Sequence, residues 1–260
     1  MAAAYDTIAS DYDHLVAEDQ WMRTVLWRHY RSAFRPGSRI LEVGCGTGLD
    51  TFVLAEAGSR VVAVDVSPAM IERLRVKRLR AKRHSGPAAD RIEPRVLDGG
   101  TLASLPSAGF DGIVSAFAGV NTIADWSEFS KQAARLLRPG GRLLLHLLAP
   151  AGLWERWKAL GEHGWPTAKT LHHRRQRTLE IGGRSVRHQV LPARDAARLF
   201  EVGFRCRRLY GLGFLWPRDR SQHIPLAIAQ SAARLEARLG AFSPFLDWGR
   251  FYVLDLERRQ

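Results

Sequence analysis

Cysteine is scarce in this 260-residue chain: Cys45 and Cys206 are the whole supply. Two thiols are too few for a disulfide framework, a four-cysteine zinc site or a chain-encoded iron–sulfur cluster, so no metal is expected. No apolar run reaches the roughly 20 residues that a membrane-spanning helix needs. The opening Met1-Ala2-Ala3-Ala4-Tyr5-Asp6 has neither the basic nor the apolar stretch of a signal peptide. A soluble, cytoplasmic protein is the expectation. No Gly-Lys-Ser/Thr phosphate loop and no Gly-x-Gly-x-x-Gly fingerprint occurs, which weakens triphosphate and dinucleotide readings. Lysine is scarce as well: 34 of the 39 basic residues are Arg, so an Arg-rich coding bias competes with a polyanion-binding surface as the origin of the net charge of +13. Most of the excess lies late, with 20 basic against 10 acidic residues in 151–260.

What is present is an alternation of short apolar runs and helical stretches. Residues 20–34 place Trp21, Val25, Leu26, Tyr30 and Ala33 at helical spacing, and Pro36-Gly37 ends that helix. Arg39 to Val43 reads as a strand, Gly44-Cys45-Gly46-Thr47-Gly48 as a tight loop and Leu49 to Ala57 as a helix. Arg60 to Asp65 is a second strand and Pro68 to Arg83 a second helix with a basic outer face. Further strands are expected at Arg95 to Asp98, Phe110 to Ala116 and Arg142 to Leu148, with a helix from Trp126 to Leu137. Strands apolar on both faces and alternating with helices imply a parallel sheet covered on both sides. Beyond Pro150 the alternation breaks. Gly182-Gly183 between Thr178–Ile181 and Ser185–Val190 predicts a hairpin. A helix at Ala193 to Glu201, a strand at Arg205 to Tyr210, a helix at Ile224 to Leu239 and a strand at Phe251 to Leu256 follow.

A glycine turn between a first strand and its helix lets backbone approach a ligand closely, and Asp65 at the end of the second strand is placed to accept hydrogen bonds from two ribose hydroxyls. In its motifs the chain resembles the class I S-adenosylmethionine-dependent methyltransferases. Leu41 to Gly48 is similar to their first motif, Val64-Asp65-Val66-Ser67-Pro68-Ala69-Met70 to the second and Leu97-Asp98-Gly99 to the third. Phe110 to Ser115 and Leu136 to Gly141 resemble the fourth strand and the turn before the fifth. Tyr5 to Asp13 is similar to the opening of many small-molecule members. The likeness covers about residues 5–148. It implies an α/β fold: a doubly wound, mostly parallel seven-stranded sheet of Rossmann-like type, with an N-terminal helical lid and an inserted acceptor cap. The expected division is 1–35 lid helices, 36–149 cofactor-binding core, 150–192 cap with hairpin, and 193–260 completing the sheet with an inserted helix.

The resemblance also implies S-adenosyl-L-methionine as cofactor and S-adenosyl-L-homocysteine as product. Gly44, Cys45, Gly46 and Gly48 would bring backbone against the methionine part, with Glu42 near its amino group. Asp65 would hold the ribose, with Val66 also in the cofactor site, and Asp98 would meet the adenine amino group, helped by the Gly99 backbone, with Met70 and Leu97 packing on the ring. Ser115 would lie near cofactor and acceptor, and Tyr12 would close over the sulfonium. Methyl transfer from a sulfonium mainly requires alignment, with a base needed only for a protonated acceptor. His146 is the candidate base, with a hydrogen-bonded core histidine as the competing reading; His172-His173 and Asn121 are further candidates.

Missing motifs narrow the reaction. The Asn/Asp-Pro-Pro-Tyr/Phe signature of amino-methylating relatives is missing after the fourth strand, where Ser115-Ala116-Phe117-Ala118-Gly119 stands, and neither cysteine suits carbon-5 pyrimidine or arsenic methylation. Oxygen, amine and activated-carbon acceptors stay open, and the expected activity is methyl transfer to a small-molecule acceptor, at oxygen. Trp154, Trp157, Trp165, Phe214, Trp216, Phe242 and Trp248 would line a pocket for an aromatic or lipid-like acceptor, or else pack the cap. In the late helix Ile228, Ala232, Leu235 and Leu239 form a stripe expected to pack in the core, or to rest on a membrane surface. An RNA methyltransferase and a cofactor-binding protein without transfer activity stay open as alternatives.

Overall fold

In the computed structural model, which describes residues 1–83, 86–215 and 225–260, seven strands form one sheet. Trp216 and Ile224 lie outside the described residues. Three helices come first: α1 (Ala2–Ile8), α2 (Tyr12–Leu15) and α3 (Gln20–Ala33). The doubly wound unit follows as β1 (Arg39–Val43), α4 (Leu49–Glu56), β2 (Arg60–Asp65), α5 (Pro68–Arg83), β3 (Ile92–Val96), β4 (Phe110–Ser115), α6 (Trp126–Leu136) and β5 (Leu137–Leu148). After a cap of α7 (Leu153–Thr170) and the hairpin β6 (Gln176–Ile181) and β7 (Arg184–Gln189), the sheet is completed. Its last members are α8 (Ala193–Phe200), β8 (Phe204–Leu212), α9 (Leu226–Leu239), α10 (Phe245–Trp248) and β9 (Phe251–Arg258).

The strand order is β3-β2-β1-β4-β5-β9-β8, parallel throughout except that β9 runs antiparallel between β5 and β8. Alternate strand residues serve opposite layers. Ile40, Val61, Ala63, Val114 and Leu144 pack against α3, α4 and α5, whereas Leu41, Val62, Val64, Ile113 and Leu143 pack against α6 and α8. Both faces are therefore buried, which is why these strands read as unbroken apolar runs. The carboxyl ends of β1, β2 and β4 carry the glycine loop, Asp65 and the 116–119 turn to one edge of the sheet.

Three expectations are corrected. Pairing of β5 begins at Leu137 opposite Phe110, not at Arg142, with an irregularity between Phe110 and Gly112. The long helix α7 was not legible, because Gly161, Gly164 and Pro166 interrupt its pattern; the chain kinks at Gly164, whose φ is +79°. The stripe of α9 is turned over. Ile228 and Leu235 face solvent, while Ala233, Glu236 and Ala237 are buried. The reason lies at the end of the helix, where the Gly211 N–H donates to the Gly240 carbonyl at 3.0 Å. A Cβ on Gly240 would stand 2.2 Å from the Gly211 carbonyl oxygen, so α9 meets β8 nearly backbone to backbone and only small side chains fit between. The hairpin is as expected, with φ of +56° and +72° at Gly182 and Gly183. No helix among the described residues is long and apolar enough to cross a membrane.

Candidate functional site

The carboxyl ends of β1, β2 and β4 open into a cleft enclosing about 610 Å³, part of it open to solvent. One wall is the glycine loop. Gly44 has φ +72°, and a Cβ there would lie 3.1 Å from the Gly119 Cα, so two chain segments pass at a distance that only glycine allows. Asp65 fixes this loop: its carboxylate accepts from the Gly46 N–H at 2.8 Å and the Ser67 N–H at 2.9 Å. Each oxygen keeps a second lone pair for a ligand hydroxyl. Burial pushes the Asp65 carboxyl above its usual range, against the pull of the N–H donors. Across the cleft, Asp98 accepts from the Gly100 N–H at 2.8 Å, leaving its exposed carboxylate at the rim. Gly99 is packed so tightly that a Cβ would meet Val43 Cγ1 at 2.6 Å.

Nine of the expected site residues line this cleft: Tyr12, Gly44, Gly46, Asp65, Val66, Met70, Leu97, Asp98 and Gly99. Cys45 lines a smaller adjoining pocket, together with Arg23, Leu49 and Asp50. Gly48, with φ +90°, caps α4. The remaining three stand elsewhere. Glu42 is buried beneath the loop and accepts from Thr51 Oγ1 at 2.5 Å. Ser115 is buried with no partner for its Oγ. His146, expected as a base, does not reach the cleft: Phe117 covers it, ring edge to ring face at 4.6 Å, and Phe251 stacks on it. Its Nδ1 accepts from the Phe117 N–H at 3.3 Å, which leaves the proton on a partnerless Nε2. Burial pushes this imidazole well below its ordinary pKa.

Glu42 gives a prediction with a worked sign. Burial, with the Asp50 carboxylate adding to it, raises its pKa well above the usual value in the folded chain. Its contribution to stability is therefore full below the unfolded value of about 4.3 and is lost as pH rises through the raised folded value. Glu42→Gln removes that loss, so the variant's thermal midpoint relative to the native protein should rise from pH 5 to pH 8 in parallel melting curves. A gap that stays constant would place the ionised carboxylate at no cost.

Several residues went unnoticed in the sequence. Met1 and Tyr5 of the N-terminal segment line the cleft, and Asp6 fastens it by accepting from Ser67 Oγ at 2.5 Å and the Ala69 N–H at 3.1 Å. Arg23 of α3 is buried, ion-paired with Asp50, and its guanidinium lies 4.1 Å from the Phe117 ring centroid. Trp27 Nε1 donates to the same Asp50 at 2.8 Å. Phe117 and Ala118 hold φ of +47° and +67°, a left-handed pair of non-glycine residues at the cleft wall.

Other candidates fall away from the cleft. Asn121 is a fastener: its amide donates to the carbonyls of Leu148 and Gln189 and accepts from the Leu148 N–H. His172 and His173 sit in a turn beyond α7. Among the described residues the aromatic side chains of this region do not gather into one pocket, for Trp157, Trp165 and Phe242 are more than half exposed and Phe214 is buried against Phe245. Arg39, Arg60, Arg75, Arg78 and Arg91 line an open groove at the amino ends of β1 to β3, the opposite end of the sheet. Among the described residues no cluster could hold a metal ion.

Residues 40–141 match the family model described as a methyltransferase domain. The chain is 31% identical over 146 residues to a demethylmenaquinone methyltransferase of Tropheryma whipplei (strain Twist), 54% of this chain and 56% of that protein. It is 33% identical over 112 residues to a ubiquinone biosynthesis O-methyltransferase of Xanthomonas oryzae pv. oryzae (strain PXO99A), covering 43% and 44%. The chain thus spans about half the length of the curated relatives it matches. In fold it is similar to the methyltransferase in a complex with the Trm112 activator of Haloferax volcanii, with a TM-score of 0.62, 18% identity and coverage of 98% and 96%.

Proposed function

We propose that this protein, whose residues 40–141 match a methyltransferase domain, is a class I S-adenosylmethionine-dependent enzyme that methylates a small-molecule acceptor at oxygen. The observation that carries the reading is the convergence of the glycine loop, Asp65 and the Asp98-Gly99 turn on one cleft. S-adenosylmethionine fits the donors and walls available. Asp65 has free lone pairs for two ribose hydroxyls, and Asp98 stands where an adenine amino group would be met, between the apolar Met70 and Leu97. In the adjoining cavity a desolvated Arg23 and Asp50 match a zwitterion, the guanidinium for a carboxylate and the carboxylate for an ammonium. When bound, the cofactor supplies an activated methyl group on a good leaving group, open to in-line displacement.

What the chain itself adds is alignment and exclusion of water. The Gly44–Gly119 crossing fixes the two loops against each other, and the N-terminal segment closes the cleft through Asp6. Burial keeps Tyr5 and Tyr12 protonated, so neither serves as a base at neutral pH. With His146 behind Phe117 and no histidine lining the cleft among the described residues, the reading favours an acceptor oxygen more acidic than an alcohol, as in a phenol or enol. The two curated relatives, named for menaquinone and ubiquinone pathways, agree with an aromatic or lipid-like acceptor.

Calorimetric titration of cofactor-free protein with S-adenosylmethionine, S-adenosylhomocysteine and sinefungin tests the cofactor half. Stoichiometric micromolar binding is expected, followed by transfer of labelled methyl to phenolic compounds in an acceptor screen. No heat with any of the three would end the proposal.

A further inference from the structure

Among its described side chains, helix α9 is amphipathic in reverse. An interior-packing helix normally buries its large aliphatic residues, yet α9 buries Ala233, Glu236 and Ala237 and shows Ile228 and Leu235, 58% and 48% exposed. Its buried Glu236 accepts from the N–H groups of Gly213 at 2.7 Å, Phe214 at 2.8 Å and Leu215 at 2.6 Å. That capture fixes the helix rotation, so the outward aliphatic stripe is built in. Ile228 and Leu235 are seven residues apart and lie almost in line. Ala232 and Leu239 border them, exposed Arg234 and Arg238 flank them, and Phe242 follows the helix at 67% exposure.

We propose that the outward face of α9, continued by Phe242, docks on a lipid surface carrying anionic headgroups. Aliphatic side chains at the centre with arginines alongside are what an interfacial helix needs: the apolar groups enter the acyl boundary while each guanidinium stays among phosphates. The charge decides against other occupants. A second copy of this chain would set Arg234 and Arg238 against arginines, and a nucleic acid would use the arginines but leave Ile228, Leu235 and Phe242 without a partner. The inference goes beyond methyl transfer and does not depend on it. It gives a lipid-like acceptor a route to the enzyme.

The test is co-sedimentation of the full chain with phosphatidylcholine vesicles, with and without phosphatidylglycerol. Binding is expected only with the anionic lipid. Ile228→Asp with Leu235→Asp should lower the partition coefficient by about tenfold or more, given the free energy of burying such side chains. Arg234→Gln with Arg238→Gln should lower it by a smaller factor and flatten its dependence on salt. Both pairs are on the solvent side, so an unchanged thermal midpoint and unchanged S-adenosylhomocysteine affinity should accompany the loss. Equal binding to neutral vesicles, or an aspartate variant that binds as the native protein does, would overturn the proposal. So would an RNA oligonucleotide that the native and aspartate proteins bind equally and that strips both from vesicles, because the face would then serve nucleic acid.

Discussion

Asp65→Asn should weaken binding of S-adenosylmethionine and S-adenosylhomocysteine by about 100-fold to 1000-fold. Two hydroxyl donors on a carboxylate contribute roughly 1.5–3 kcal/mol each, and the amide keeps only one acceptor oxygen. The loss is compounded inside the protein. Gly46 and Ser67 both direct N–H groups at this side chain, so one of them would face the donor end of the new amide. The glycine loop would lose part of its anchor while the strand beneath it, buried on both faces, stays in place. A pH series separates this from a general defect. Because burial raises the Asp65 pKa, the native protein should lose affinity on acidification at a higher pH than an ordinary carboxylate would cause, and Asp65→Asn should show no such step. Calorimetric titrations of both proteins give the answer, and an unchanged dissociation constant would move the ribose elsewhere.

The parts of this architecture that sequence disclosed are those where local chemistry and fold agree. Val61 to Val64 and Leu143 to Leu147 are apolar on both faces because helices cover both, and the glycine loop is visible because Gly44 and Gly48 must hold positive φ. Asp65 was found by its place after a strand and Asp98 by the likeness of Leu97-Asp98-Gly99 to a family motif, both one-dimensional signals. What stayed hidden depends on elements distant in the chain. Nothing about Arg23 announces an ion pair with Asp50, 27 residues on, and nothing about Phe117 announces a left-handed backbone. His146 looked like a base by its position on β5, but Phe117 and Phe251, rings brought in from elsewhere in the fold, enclose it. The face of α9 was misjudged because periodicity reports that a helix has two sides and not which one is buried. The glycines at 211 and 240 and the carboxylate of Glu236 made that choice.

Asp50→Ala should lower the thermal midpoint by roughly 6–20 °C, since an uncompensated buried charge costs about 3–5 kcal/mol in a domain of this size. Arg23 and Asp50 are both almost fully enclosed, the Arg23 Nε already lacks a partner, and Trp27 would lose its acceptor in the same change. Replacing both charges, Arg23→Met with Asp50→Leu, should restore most of the stability, because buried ion pairs are commonly matched by well-packed apolar residues. Cofactor binding then distinguishes two roles. If the pair serves only the fold, the double variant melts like the native protein and binds S-adenosylhomocysteine as tightly. The pocket beside Gly44 and Cys45, lined by both charges, argues for the other result, a folded double variant with affinity lowered by about tenfold or more, as expected for loss of charge-assisted hydrogen bonds. A methionine-like ligand brings its own carboxylate and ammonium to charges that are already desolvated. The cost of burying Arg23 and Asp50 then falls on folding, which leaves the site preorganised when the ligand arrives.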